Sequence, residues 1–205
     1  WPDDPASRAT ARWLCAEMVA GFHALRAQCP MQLLHCWQGF DPSPDTLADL
    51  QRVETLWDHA RTISGAQFGP LFGRYSLADV FYTPVAARIV GYGLPVSEPS
   101  FEYCLNLLSD VSVRQWRAIG LTVAYDPFPY PQKLGTNPWP ISAKPIAIPV
   151  ESGPSVNAAC PYSGKPVTDF LEMDGKCWGF CNPTCRDKTV ADPTAWPKFT
   201  AMIAD

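Results

Sequence analysis

The sequence predicts a mainly α fold: a helical bundle followed by a small β-hairpin module with metal-binding chemistry. Three observations predict it. Apolar residues recur at helical spacing through residues 1–121, and helix start and stop signals bracket the runs. The end of the chain places Cys160, Cys181 and Cys185 in the pattern C-x20-C-x3-C around an Asp-Gly turn signal. Three segments follow: a helical domain over 1–121, a Pro-rich connector over 122–159 and a Cys-rich module over 160–205.

Composition bounds the function classes. Sixteen basic and 20 acidic residues give a net charge of -4, and no Lys/Arg-rich run marks a nucleic-acid track. A hydrophobic content of 47% suits a protein with a real core. No apolar run approaches the ~18 residues that span a bilayer, and no signal peptide opens the chain, so neither a nucleic-acid partner nor a membrane is expected and the cytoplasm is the expected location. Eight cysteines would suit a disulfide framework in a small secreted protein. Here Cys15, Cys29, Cys36 and Cys104 scatter through apolar helical surroundings and the other four cluster at the end, which favours reduced thiols plus a metal site. The start at Trp1, already in a helix-entry sequence, leads to the expectation of a fragment with something upstream.

Asp3-Asp4-Pro5 is a helix start, an acidic N-cap with proline at the first helical position. Leu14, Met18, Phe22 and Leu25 then fall on one face of a helix predicted to run to Cys29-Pro30. A second helix is predicted from about Asp45 to Ile63, with Leu47, Leu50, Val53, Trp57 and Ala60 at helical intervals. Ser76-Leu77-Ala78-Asp79 reads as a capping box opening a third, and Pro84 must kink that helix or delete a hydrogen bond. Shorter helices are predicted over about 100–108 and 111–120. The proline-rich stretch from Thr122 to Ala159 shows neither period and reads as a semi-extended connector, whose Tyr125, Phe128, Tyr130 and Trp139 favour lying against the bundle.

In the last segment, Phe170 to Phe180 is strand-like and broken at Asp174-Gly175, so a hairpin is predicted, with the Cys181/Cys185 pair at a turn entering a helix. Two sulfurs there and one from the Cys160 knuckle can converge on one ion. Cys177, Asp187 or water are candidates for a fourth ligand, because zinc in a closed structural site takes four. Thiolates suit zinc, Cu(I) and iron alike. The blander reading is that these thiols pack as small hydrophobes.

This segment resembles the TRASH and YHS-like treble-clef metal modules, from Cys160 to about Phe199. The resemblance rests on the cysteine spacing, the hairpin residues Gly175, Lys176 and Trp178, the Phe180-Cys181 pair and Asp192-Pro193 followed by Trp196. It implies a metal site, with zinc the expected ion. Many YHS members carry a cysteine where this chain has Ser163.

The helical half resembles the C-terminal domain of the glutathione transferase superfamily. Gly73-Arg74-Tyr75-Ser76-Leu77-Ala78-Asp79-Val80 matches its G-x-x-S/T-x-A-D box, with Pro84 just beyond, and the likeness covers about Asp3 to Gly120. It implies glutathione as co-substrate, a small electrophilic substrate, a homodimer and a separate N-terminal thioredoxin-like domain bearing the thiol-activating residue. No βαβ pattern of that kind occurs in these residues, so the catalytic residue cannot be named. By resemblance, Met18, Phe22, His23, Tyr82 and Arg88 are candidates for lining the electrophile pocket. The residues themselves also admit another reading: Met18 and Phe22 at helical spacing suit a plain core, and Arg88 an ion pair. His23, His35 and His59 show no metal spacing, and the cap accounts for Ser76 and Asp79 without a hydrolase triad. The alternative to a transferase is a non-catalytic metal-binding or sensing protein on the same scaffold.

Overall fold

A computed structural model describes residues 1–123, 125, 132–141 and 145–204. The chain is helix-rich, with two small antiparallel sheets, and divides into two compact units. One comprises Trp1–Ser109 with the described part of Tyr130–Ile141. The other comprises the described parts of Asp110–Pro129 and Ser142–Asp205.

The first unit opens with α1 (Pro5–Ala20), where the Asp4 carboxylate accepts from Ser7 N–H at 2.7 Å. That bond holds the Asp4 carboxyl below its usual range. The single long helix predicted to Cys29 is instead broken: α1 closes at Gly21, and α2 (His23–Gln28) starts afresh after Phe22. Phe22 adopts a left-handed φ of 58°, which costs a non-glycine residue about 1–2 kcal/mol. Burying its ring, 5% exposed, offsets that by a comparable ~1.5–3 kcal/mol. Phe22 offers no side-chain cap, and Asp49 supplies one from the next helix by accepting from Leu25 N–H at 2.9 Å. That next helix, α3 (Pro44–Ser64), begins at the Ser43 cap and ends at Gly65 in the left-handed conformation.

Helix α4 (Leu77–Tyr92) is the most buried element of this unit, and its capping box is present as predicted. Asp79 does more than cap. Its two carboxylate oxygens accept from Ser76 N–H and Oγ, from Leu71 N–H at 3.1 Å and from the Tyr103 hydroxyl at 2.9 Å, with Asp79 itself fully buried. The helix runs on through Pro84, so the cost there is one missing backbone donor. Helix α5 (Glu98–Ser109) packs on α4, and Trp57 stands edge-on to both Tyr82 and Tyr103 at the centre of the core. Burial, then the neighbouring Asp79 carboxylate, pushes the Tyr103 hydroxyl well above its usual pKa, so it remains a donor.

The connector is more structured than its composition predicts. Thr136–Pro138 (β2) pairs antiparallel with His35–Trp37 (β1), and Trp139 is buried at 4% exposure. Tyr125 is largely exposed, while Phe128 and Tyr130 lie outside the described residues.

In the second unit, Ala147–Val150 (β3), Asp169–Met173 (β4) and Lys176–Phe180 (β5) form an antiparallel sheet in the order β3-β4-β5. The predicted hairpin joins β4 to β5. Asp174 and Gly175 both have positive φ, 53° and 71°, as a type I′ turn requires. Against the sheet pack α7 (Pro183–Ala191), a 3-10 turn over Pro193–Ala195 and α8 (Pro197–Ala204). Helix α6 (Val111–Gly120), which the sequence grouped with the bundle, packs in this unit on α7 and the 3-10 turn. The Arg114 guanidinium on α6 grips the buried Asp192 carboxylate with two donors, one at 2.8 Å, and Gln115 donates to Ala195 O at 2.7 Å. Leu171, Met173, Trp178, Phe180, Trp196 and Phe199 make a continuous core.

Asp79→Ala strips the acceptor from four buried or half-buried donors at once. It is expected to lower unfolding free energy in urea by about 3 kcal/mol or more, and by more than Asp4→Ala, which removes one cap at an exposed helix end. A loss at Asp79 no larger than that at Asp4 would contradict the assignment.

Candidate metal centre

Three local structures bring the sulfurs of Cys160, Cys181 and Cys185 together. The chain at Cys160 folds into a tight knuckle: Gly164 N–H donates back to Cys160 O at 2.9 Å and Cys160 N–H to Lys165 O at 2.8 Å, with Gly164 at a φ of 72° that a side chain would strain. Strand β5 ends at Phe180, which delivers Cys181 beside the knuckle. Asn182 then caps α7 by accepting from Cys185 N–H at 2.8 Å, with Pro183 at the first helical position, and this places Cys185 on the first turn.

The three sulfurs lie within 4.8 Å of one another, with Cys181 and Cys185 at 4.0 Å. Thiolates around one zinc ion at ~2.3 Å stand about 3.8 Å apart. The present spacing therefore fits a shared ion after a small contraction. Cys160 is buried and Cys181 and Cys185 are half-buried.

The electrostatics distinguish the thiols. Burial works against the Cys160 thiolate, but the backbone N–H groups of Tyr162, Cys181 and Ser163 together outweigh it and bring its pKa down to about 7. Burial, then the neighbouring Cys160 and Cys181 sulfurs, pushes Cys185 up to about 11. Elsewhere burial raises Cys15 to about 11 and Cys29 to about 12, as expected of inert core thiols.

Of the two protein candidates for a fourth ligand, neither joins the cluster. Cys177 faces away by strand parity: Trp178 and Phe180 on β5 point into the core, and Cys177 lies opposite Glu172 on the other face. Asp187 is engaged by Arg186 Nε at 2.7 Å. The Ser163 hydroxyl donates to Cys181 Sγ at 3.2 Å. Asn182 Nδ2 also donates to Cys181 Sγ, at 3.3 Å.

The knuckle is backed by contacts that the sequence does not show, although Trp196 already figures in the treble-clef resemblance. Lys188 Nζ sits 3.9 Å from the centre of the Tyr162 ring and 4.1 Å from that of Trp196. The Tyr162 hydroxyl pairs with Thr189, and Trp196 Nε1 donates to Lys188 O at 3.0 Å. Their spacing on α7 was visible, but the aromatic partners come from the knuckle and the 3-10 turn and carry no local signal.

The residues expected to line an electrophile pocket are placed as follows. Met18, Phe22 and Tyr82 are core side chains, with the Tyr82 hydroxyl donating to Leu14 O at 3.2 Å. His23 is exposed on α2. Arg88 donates to Cys29 O at 2.8 Å and to Pro84 O at 3.0 Å, so it ties α4 to the end of α2. His59 lies edge-on to Trp13 and His35 edge-on to Trp37.

No protein family's sequence profile matches the chain, and no curated protein matches it significantly. No described helix is long and apolar enough to cross a membrane.

Because Cys185 is protonated near neutrality and a bound ion requires its thiolate, metal binding at pH 7 is expected to release at least one proton. Calorimetric titration with zinc in two buffers of different ionisation enthalpy reads that number. Affinity should fall as pH drops through 7, where Cys160 also takes up a proton; pH-independent binding without proton release would contradict a thiolate site.

Proposed function

We propose that this chain is a metal-binding protein whose C-terminal module holds one thiophilic ion, zinc foremost, through Cys160, Cys181 and Cys185. The carrying observation is the convergence of three sulfurs within 4.8 Å from three separate local structures. Core packing alone accounts poorly for it, since two of the three thiols are half-buried at the module's surface. The backbone N–H groups aimed at Cys160 favour its anionic form, the form that binds metal. Free thiols throughout suit a reducing compartment such as the cytoplasm.

A second reading, compatible with the first, is that the helical unit is the electrophile-binding half of a glutathione transferase-like protein, working as a dimer beside a thioredoxin-like domain. What favours it is the Ser76–Asp79 box opening a buried α4, with Asp79 tying the preceding loop and α5 to that helix. In that reaction a glutathione thiolate would attack a small electrophile, and the residue activating the thiol would lie outside this chain.

Elemental analysis tests the first reading: purified protein should carry close to one metal per chain, and the Cys181→Ser, Cys185→Ser double variant should lose it while keeping its helical circular dichroism. Wild-type protein without metal after zinc loading, or a double variant that retains it, would contradict the site. For the second, the complete product of the gene should be retained on immobilised glutathione and conjugate 1-chloro-2,4-dinitrobenzene; failure of both discards the transferase reading and leaves the metal reading intact.

A further inference from the structure

We infer that the described residues supply three ligands to the ion and that the fourth is an exchangeable neutral donor, a water or an imidazole-type nitrogen, admitted on the Ser163 side of the cluster. This rests on the metal-binding reading above. The knuckle Cys160-Pro161-Tyr162-Ser163-Gly164 presents two side chains to the cluster, Cys160 and Ser163. Only Cys160 is a thiol. Ser163 Oγ donates to Cys181 Sγ at 3.2 Å and accepts from Lys165 N–H at 3.3 Å, so its hydroxyl is already engaged. A neutral serine hydroxyl is, besides, a poor substitute for the thiolate, imidazole or carboxylate ligands that zinc takes. Cys177 and Asp187 are turned elsewhere, as described.

Access follows the same geometry. Cys160 is the buried corner of the cluster, whereas Ser163 and Asn182, both in contact with Cys181 Sγ, are exposed. The side toward solvent is therefore the side of Ser163.

Charge selects the class of ligand. A divalent ion with three thiolates already carries one net negative charge. That charge repels a further anion and does not repel a neutral donor, so a neutral donor is favoured. Moreover, the module has its own core and the Arg114–Asp192 clasp, so ligand exchange at the ion need not open the fold. Three protein ligands and an outside fourth are the pattern of a working site, whereas a staple is closed by four.

Cobalt(II) loaded anaerobically into the intact chain, then titrated with imidazole, tests this. The visible d–d bands of thiolate-bound cobalt should shift saturably on adding imidazole while the thiolate-to-cobalt charge-transfer band persists. Ser163→Ala should keep both behaviours, since the hydroxyl is no ligand; Ser163→Cys should bind cobalt and lose the imidazole response, because a fourth thiolate closes the site. A wild-type cobalt spectrum indifferent to imidazole, loss of the charge-transfer band on its addition, or loss of cobalt binding in Ser163→Ala overturns the inference while leaving the metal reading standing. Absence of any thiolate–cobalt band in the wild type overturns both.

Discussion

The Cys160 knuckle is the constraint on which the functional half of this structure depends. A buried sulfur is tolerable as an anion only if donors replace the water it has lost, and here backbone N–H groups from two directions, the knuckle itself and the end of β5, are aimed at it. That arrangement needs Gly164 in a left-handed turn and β5 in register with β4, so that Cys181 arrives where the knuckle points. The Asn182 cap then fixes Cys185 on the same side. Each step is local chemistry, and the three together make a site.

The module that holds this site does not consist of the site alone. Trp178, Phe180, Trp196 and Phe199 bury a core between the sheet and the terminal helices, and Arg114 on α6 closes on Asp192 with a bidentate bond at a largely buried position. Gly179 shows how tight the packing is: a Cβ there would meet Val167 at 2.7 Å, and Asn157 bonds both its N–H and its carbonyl. A small segment usually needs a staple or a neighbour to fold against. Here α6 serves as that neighbour, which separates the stability of the module from the occupancy of its metal site.

Sequence reading succeeded where the determinant is local. Asp174-Gly175 specifies its turn because both positions need positive φ, and Ser76–Asp79 specifies its cap because the two residues satisfy each other's backbone. It failed where tertiary burial overrides the local pattern. The Leu14-Met18-Phe22-Leu25 stripe continues across the break at Gly21-Phe22, because Phe22 stays in the core whichever side of the break it belongs to. Strands β1 and β2, three residues each and about a hundred residues apart, carry no alternation to detect, and β2 ends in a proline. At the site, the three sulfurs were legible from spacing; Cys177 was misjudged although strand parity with Trp178 and Phe180 already argues against it. The Lys188 stack and the Arg114–Asp192 clasp were not legible, since their partners are brought together only by the packing of α6, α7 and the knuckle.

The central claim is that three thiolates of one chain share an ion. X-ray absorption at the zinc edge of the loaded protein measures this directly. The account predicts about three sulfur neighbours at ~2.3 Å with one lighter N or O neighbour at ~2.0–2.1 Å; a shell made of nitrogen and oxygen alone, without sulfur, would contradict it.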